Sequence, residues 1–93
     1  MSLVIENEIG TITVPEGVLV GIAVEAAERV DGLKVKRKRA VDAEHRVVRL
    51  AVSVRRGEPL LELAERAQDE VASSFQAVCG FEPTVEISVG ELE

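Results

Sequence analysis

Apolar and polar side chains alternate over Gly10-Thr11-Ile12-Thr13-Val14, the period of a short strand with one face buried. Pro15 follows, at a place where a first helical residue loses nothing by lacking an N–H. From Pro15 to Val30 the apolar spacing lengthens to three and four, through Val18, Leu19, Ile22, Ala23, Ala26 and Val30, with Glu16, Glu25, Glu28 and Arg29 on the other side. That is a helix, and Asp31-Gly32 ends it, Gly32 suiting the left-handed position beyond a helix. Period two returns in Leu33 to Arg39, where Leu33 and Val35 oppose Lys34, Lys36 and Lys38, and again in Val47 to Val54, where Val48, Leu50, Val52 and Val54 share a face. These two strands are expected to pair as a hairpin. Ala40 to Arg46 between them has no glycine, which argues against a two-residue primed turn and predicts a longer, mobile loop.

Arg56-Gly57-Glu58 breaks the strand pattern and Pro59 opens a second helix, whose Leu60, Ala64, Ala67, Val71, Phe75 and Val78 form one stripe. Gly80 terminates it. Val85, Ile87 and Val89 then alternate with Thr84, Glu86 and Ser88 as a last strand. The order β-α-β-β-α-β predicts an α+β fold, a two-layer sandwich with two helices packed on one face of a mixed sheet. Residues 1–9 are expected either to add an edge strand through Leu3 and Ile5 or to fray.

Ninety-three residues, 46% of them apolar and 30% charged, make one domain spanning 1–93. A chain of this size buries roughly 60 to 65% of its unfolded surface, enough for a core without staples. Cys79 is the only cysteine, so no intrachain disulfide and no paired-thiolate metal or redox site can form, and a reducing cytosol is the expected setting. Met1 to Gly10 shows no basic segment followed by an apolar run, so neither export signal nor membrane anchor is expected.

The net charge of −6 is unevenly laid out: residues 1–33 carry six acids and one base, 34–56 nine bases and two acids, 57–93 nine acids and one base. An acidic chain with one basic insert repels polyanions at a distance, and the insert acts only within about one Debye length, ~8 Å at physiological salt. Lys34, Lys36, Lys38, Arg46, Arg49, Arg55 and Arg56 are the candidate interaction surface. Glu58, Glu62, Glu65 and Asp69, spaced by three or four on the second helix, are the candidate acidic counter-surface, and a solvated helix face is the simpler reading of the same spacing. The lysines also fit a guard against edge-to-edge pairing. Phosphate gripping is the other use of such cations, but only Phe75 and Phe81 are aromatic, so a stacking platform for bases is missing.

Catalytic chemistry finds little support in the chain. His45, the single histidine, falls in the hairpin loop without a nucleophile beside it in sequence, and Cys79 beside Gly80 reads as a packing thiol. No glycine-rich phosphate loop and no acidic calcium loop occurs, and no cofactor is expected. Gly17 and Gly21, four apart on the first helix, permit a close approach to the sheet or to a partner.

Gly10-Thr11-Ile12-Thr13-Val14-Pro15-Glu16, Ile22-Ala23 and Glu28-Arg29-Val30-Asp31-Gly32-Leu33 resemble the opening of the alkaline shock protein family. Val47 to Val54, Gly57, Pro59, Leu63-Ala64, Gln68, Val71, Cys79-Gly80-Phe81 and Val85-Glu86-Ile87-Ser88-Val89 resemble its second half. Lys34 to Arg39 replaces the glycine-containing stretch that commonly follows the first helix in that family, and Arg55-Arg56 replaces acidic and aromatic residues. The resemblance implies a non-catalytic bacterial cytosolic protein linked to envelope stress or homeostasis, in some members held beneath the membrane by a separate anchoring protein. Taken together, the expectation is a cytosolic interaction or scaffold module that self-associates or docks to a protein partner, without inserting into a membrane. The alternative is a small RNA-binding module using the basic hairpin 34–56.

Overall fold

The computed structural model describes residues 2–93, which form an α+β fold of order β-β-α-β-β-α-β. Strands β1 (Leu3–Glu6) and β2 (Thr11–Val14) pair antiparallel as a sheet of their own. Helix α1 (Glu16–Ala27) leads to β3 (Leu33–Asp42), β4 (Val47–Val54), helix α2 (Leu60–Cys79) and β5 (Thr84–Leu92). The second sheet has the order β3-β4-β5; β3 runs antiparallel to β4, and β5 returns parallel to it after the α2 crossover. It is the expected mixed sheet, except that the first alternating strand lies outside it, paired with the residues 2–9 segment in the small hairpin.

Alternation decides which face the helices cover. Val48, Leu50, Val52 and Val54 of β4, Leu33, Val35 and Val41 of β3, and Val85 of β5 are buried on one side. Against them lie Leu19, Ala23, Ala26 and Ala27 of α1 and Leu63, Ala67, Val71 and Phe75 of α2. The α2 stripe is turned slightly from the one read off the sequence, so that Leu63 is buried while Val78 is 66% exposed. α1 is apolar nearly all round, and Val18 reaches solvent although its spacing in the sequence predicts a place on the buried stripe. Gly17 and Gly21 face open space, with nothing near where a Cβ would stand, so tight packing on the sheet is not their role.

α2 ends at Gly80, whose φ of 81° lets its N–H donate to the carbonyls of Phe75 and Gln76. The turn brings Phe81 against Phe75, ring centroids 6.0 Å apart, and closes that end of the core.

The hairpin loop differs from expectation. β3 continues to Asp42 and the connection is a four-residue ordered turn, Ala43 to Arg46, with Arg46 at φ 55°. The Asp42 carboxylate accepts the His45 N–H at 3.2 Å and lies 2.8 Å from the His45 ring Nδ1, which supplies the bracing that glycine would otherwise make unnecessary.

Candidate interaction surface

Among the described residues no helix or strand covers the second face of the three-stranded sheet. Its floor and rims follow from register. Val35 pairs with Val52 and the next β3 partner, Arg39, pairs with Leu50, so β3 carries two residues more than β4 across this step. An even shift leaves the faces unchanged, which is why Val41 returns to the core beside Val48. The surplus leaves Lys36, Arg37 and Lys38 opposite the single residue Ala51, outside regular pairing. A second bulge lies on β5, where Val52 pairs with Val89 and Ser53 with Glu91, leaving Gly90 unpaired. This shift is odd, so it turns Glu91 from the core side to the open face.

That reversal determines where the basic residues find partners. Lys36 Nζ lies 3.0 Å from Glu93 and 3.5 Å from Glu91, and the hydrogen bond to Glu93 raises the Lys36 pKa. The Glu93 carboxyl is held below its ordinary range, first by a hydrogen bond from Ser53 and then by Lys36, with Lys34 adding to the field. Arg49 reaches Glu86 at 3.6 Å across the β4–β5 pair. Lys34, Lys36 and Arg49 therefore share the open face, but β5 and the residue after it supply acids to Lys36 and Arg49 from the same molecule.

The other candidates lie elsewhere. Arg46 stacks over the Phe81 ring, 5.0 Å from its centroid, at the end of the sheet beside the turn. Arg55, at the opposite end, donates to Asp31 and Glu58, each at 3.0 Å, and these contacts raise its pKa. Its backbone N–H donates to the Gly32 carbonyl, and Gly32 sits at φ 92° with Arg55 Nη2 only 3.3 Å from where a Cβ would be. Arg56 is exposed on the same loop. Glu58 is thus engaged with Arg55, whereas Glu62, Glu65 and Asp69 are exposed along α2, with Asp69 beside Arg66 and Arg29 in a shallow hollow of about 370 Å³.

Two residues outside the sequence-derived set, Arg37 and Arg39, belong with Lys38. All three are exposed and, among the described residues, none forms an ion pair. The signal was present in Lys34-Val35-Lys36-Arg37-Lys38-Arg39, since four successive cations cannot all occupy the solvent face of a strand of period two. Beside them the open face forms a trough of about 610 Å³ over the small residues Ala40, Ala51, Ser88 and Gly90, flanked by Lys38 and Arg49. An adjoining hollow of about 390 Å³ shares Lys38, Ala51 and Gly90 and reaches Lys36 and Arg37.

The two edges of this sheet differ in sign. β3 presents Lys34, Lys36, Arg37, Lys38 and Arg39, while β5 presents Glu86 and Glu91 and no base. Cys79 is half-buried against the core and burial pushes its thiol pKa up, away from thiolate reactivity. Among the described residues no helix is long and apolar enough to cross a membrane. In comparisons with known proteins, no family model, curated protein or solved structure matches the chain.

Proposed function

We propose that this chain is a non-catalytic interaction module, acting by self-association or by docking to an acidic protein surface through the uncovered sheet face and its basic edge. The observation that carries the reading is the cluster Arg37, Lys38 and Arg39, exposed on and just beyond the bulge and unpaired with any acid among the described residues. A cluster left uncompensated beside a small-floored trough favours a partner bearing opposite charge. Lys36, Arg49 and Arg55 are paired with acids of the same chain and Arg46 lies over Phe81, which shifts the weight of the contact from the whole hairpin toward the bulge. The bulge interrupts the β3 edge, so the contact uses side chains in preference to strand addition. The setting proposed is the cytosol, with membrane proximity only through an anchored partner, and a role in envelope homeostasis follows from the resemblance to the alkaline shock proteins.

Light scattering over a protein dilution series tests it, with salt raised from about 0.01 to 1 M so that the screening length falls from ~30 to ~3 Å. The expected result is a mass above the monomer at low salt that declines as salt rises. A monomer throughout overturns self-association. Tight, salt-sensitive binding of a single-stranded RNA probe, lost in Arg37→Glu/Lys38→Glu, would replace this reading with the nucleic-acid one.

A further inference from the structure

The small hairpin is an arm. Leu3 and Val14 pack on the core, and among the described residues the two strands pair with each other and with no third strand. The molecule measures 51 × 21 × 18 Å, and its radius of gyration of 13.9 Å exceeds the ~12 Å of a compact chain of this length. At the far end, Asn7 and Gly10 exchange backbone hydrogen bonds of 2.9 and 3.3 Å. The Asn7 side-chain oxygen accepts two more, from the N–H groups of Ile9 at 2.9 Å and Gly10 at 3.0 Å. This fixed turn holds Ile9 outward at 99% exposure, between the exposed carboxylates Glu6 and Glu8 and the exposed Gly10.

An isoleucine so exposed is unusual on a turn that is rigid, since the turn has already met the ordering cost of presenting it. The trough on the open sheet face has the opposite character. Its floor includes the small residues Ala40, Ala51, Ser88 and Gly90, and around it stand Arg37, Lys38 and Arg39 together with Glu86 and Glu91, which are already engaged by Arg49 and Lys36. We infer that the arm tip of one copy seats in the trough of a second copy, with Ile9 on the small-residue floor and Glu6 and Glu8 facing the cations of the β3 bulge. The inference rests on the self-association reading and names its interface. Charge complementarity selects the occupant: the tip carries two acids and the bulge segment three bases, none of them in an ion pair among the described residues, and the apolar Ile9 adjoins the acids as the floor adjoins the bases. Arm and trough are different surfaces, so the contact is heterologous.

Charge reversal with complementation tests it. One variant carries Glu6→Lys with Glu8→Lys, a second carries Arg37→Glu with Lys38→Glu, and all four positions are exposed, so both variants keep the fold, which circular dichroism verifies. Each alone is expected to associate about tenfold or more weakly than the natural chain. Mixed, they are expected to recover association, because the reversed arm of the first fits the reversed trough of the second and the two unaltered halves fit each other. Ile9→Asp is expected to weaken association without complementation by either. If the natural chain associates while either reversal leaves its mass unchanged, or the mixture stays monomeric, the arm-in-trough contact is wrong and the broader reading stands. If the natural chain is monomeric throughout, both fall.

Discussion

The hairpins β1–β2 and β3–β4 both end in a turn pinned by an Asx side chain, Asn7 in one and Asp42 in the other, yet they stand in different relations to the rest of the molecule. In β3–β4 a third strand joins one side, two helices cover one face, and Val48, Val52 and Val54 are wholly removed from solvent. In β1–β2 Leu3 and Val14 pack on the core, while Val4 and Ile12 remain about half exposed. Turn chemistry sets register in both cases. Burial sets stability, and a two-stranded ribbon alone is marginal in water.

The largest expected effect separates the two by truncation. Leu50→Ala in β4, at a site 2% exposed, should cost about 2–5 kcal/mol in global unfolding, read by urea titration. Ile12→Ala in β2, at 51% exposure, should cost about 1 kcal/mol or less. Equal losses would mean that the arm belongs to the cooperative unit. Next, Asn7→Ala removes the acceptor of two backbone bonds and should weaken the arm by about 1 kcal/mol, seen as faster amide exchange in residues 3–14 with no change at Val48 or Val52. A matching loss of protection in β4 would show that the arm stiffens the body.

The smallest effect concerns the other turn and depends on pH. The hydrogen bond to Asp42, with its charge, raises the His45 pKa above the ordinary 6.5, and the same bond lowers Asp42 below 3.8. The His45 contribution is complete below 6.5 and is lost as pH rises through the raised value. The Asp42 contribution is present above 3.8 and is lost as pH falls through the lowered one. The turn should therefore be tightest between these limits. A proton NMR titration of the His45 ring should give a midpoint above 6.5 that moves back toward it in Asp42→Asn; an unmoved midpoint refutes the pairing.

The same contrast explains what could be read without coordinates. α2, β4 and β5 were plain because each presents one long apolar series to a single layer, and Gly80 marks a helix end by its backbone freedom alone. The arm was harder. Its loop residues Glu8 and Ile9 lack the glycine that usually advertises a short hairpin, and the substitute signal, the Asn7 side chain, sits one residue earlier. The sequence pattern of β3 stops at Arg39 because the charged run hides the bulge, and the apolar alternation resumes only at Val41. α1 gave an ambiguous stripe, since Val18, Val20, Ile22 and Val24 surround it with apolar groups of similar weight. For the interaction surface, composition located the basic segment, but which cations stay uncompensated depends on the one-residue shift at Gly90, an effect of pairing between strands far apart in the chain.

The even bulge in β3 has a practical corollary. Because the step carries two surplus residues, excising Arg37 and Lys38 would let Val35 and Arg39 resume consecutive alternate places opposite Val52 and Leu50, with every flanking side chain keeping its orientation. The dipeptide behaves as a cassette, separable from the scaffold that displays it, and its removal takes two positive charges from the rim while leaving the hydrophobic layer as it was.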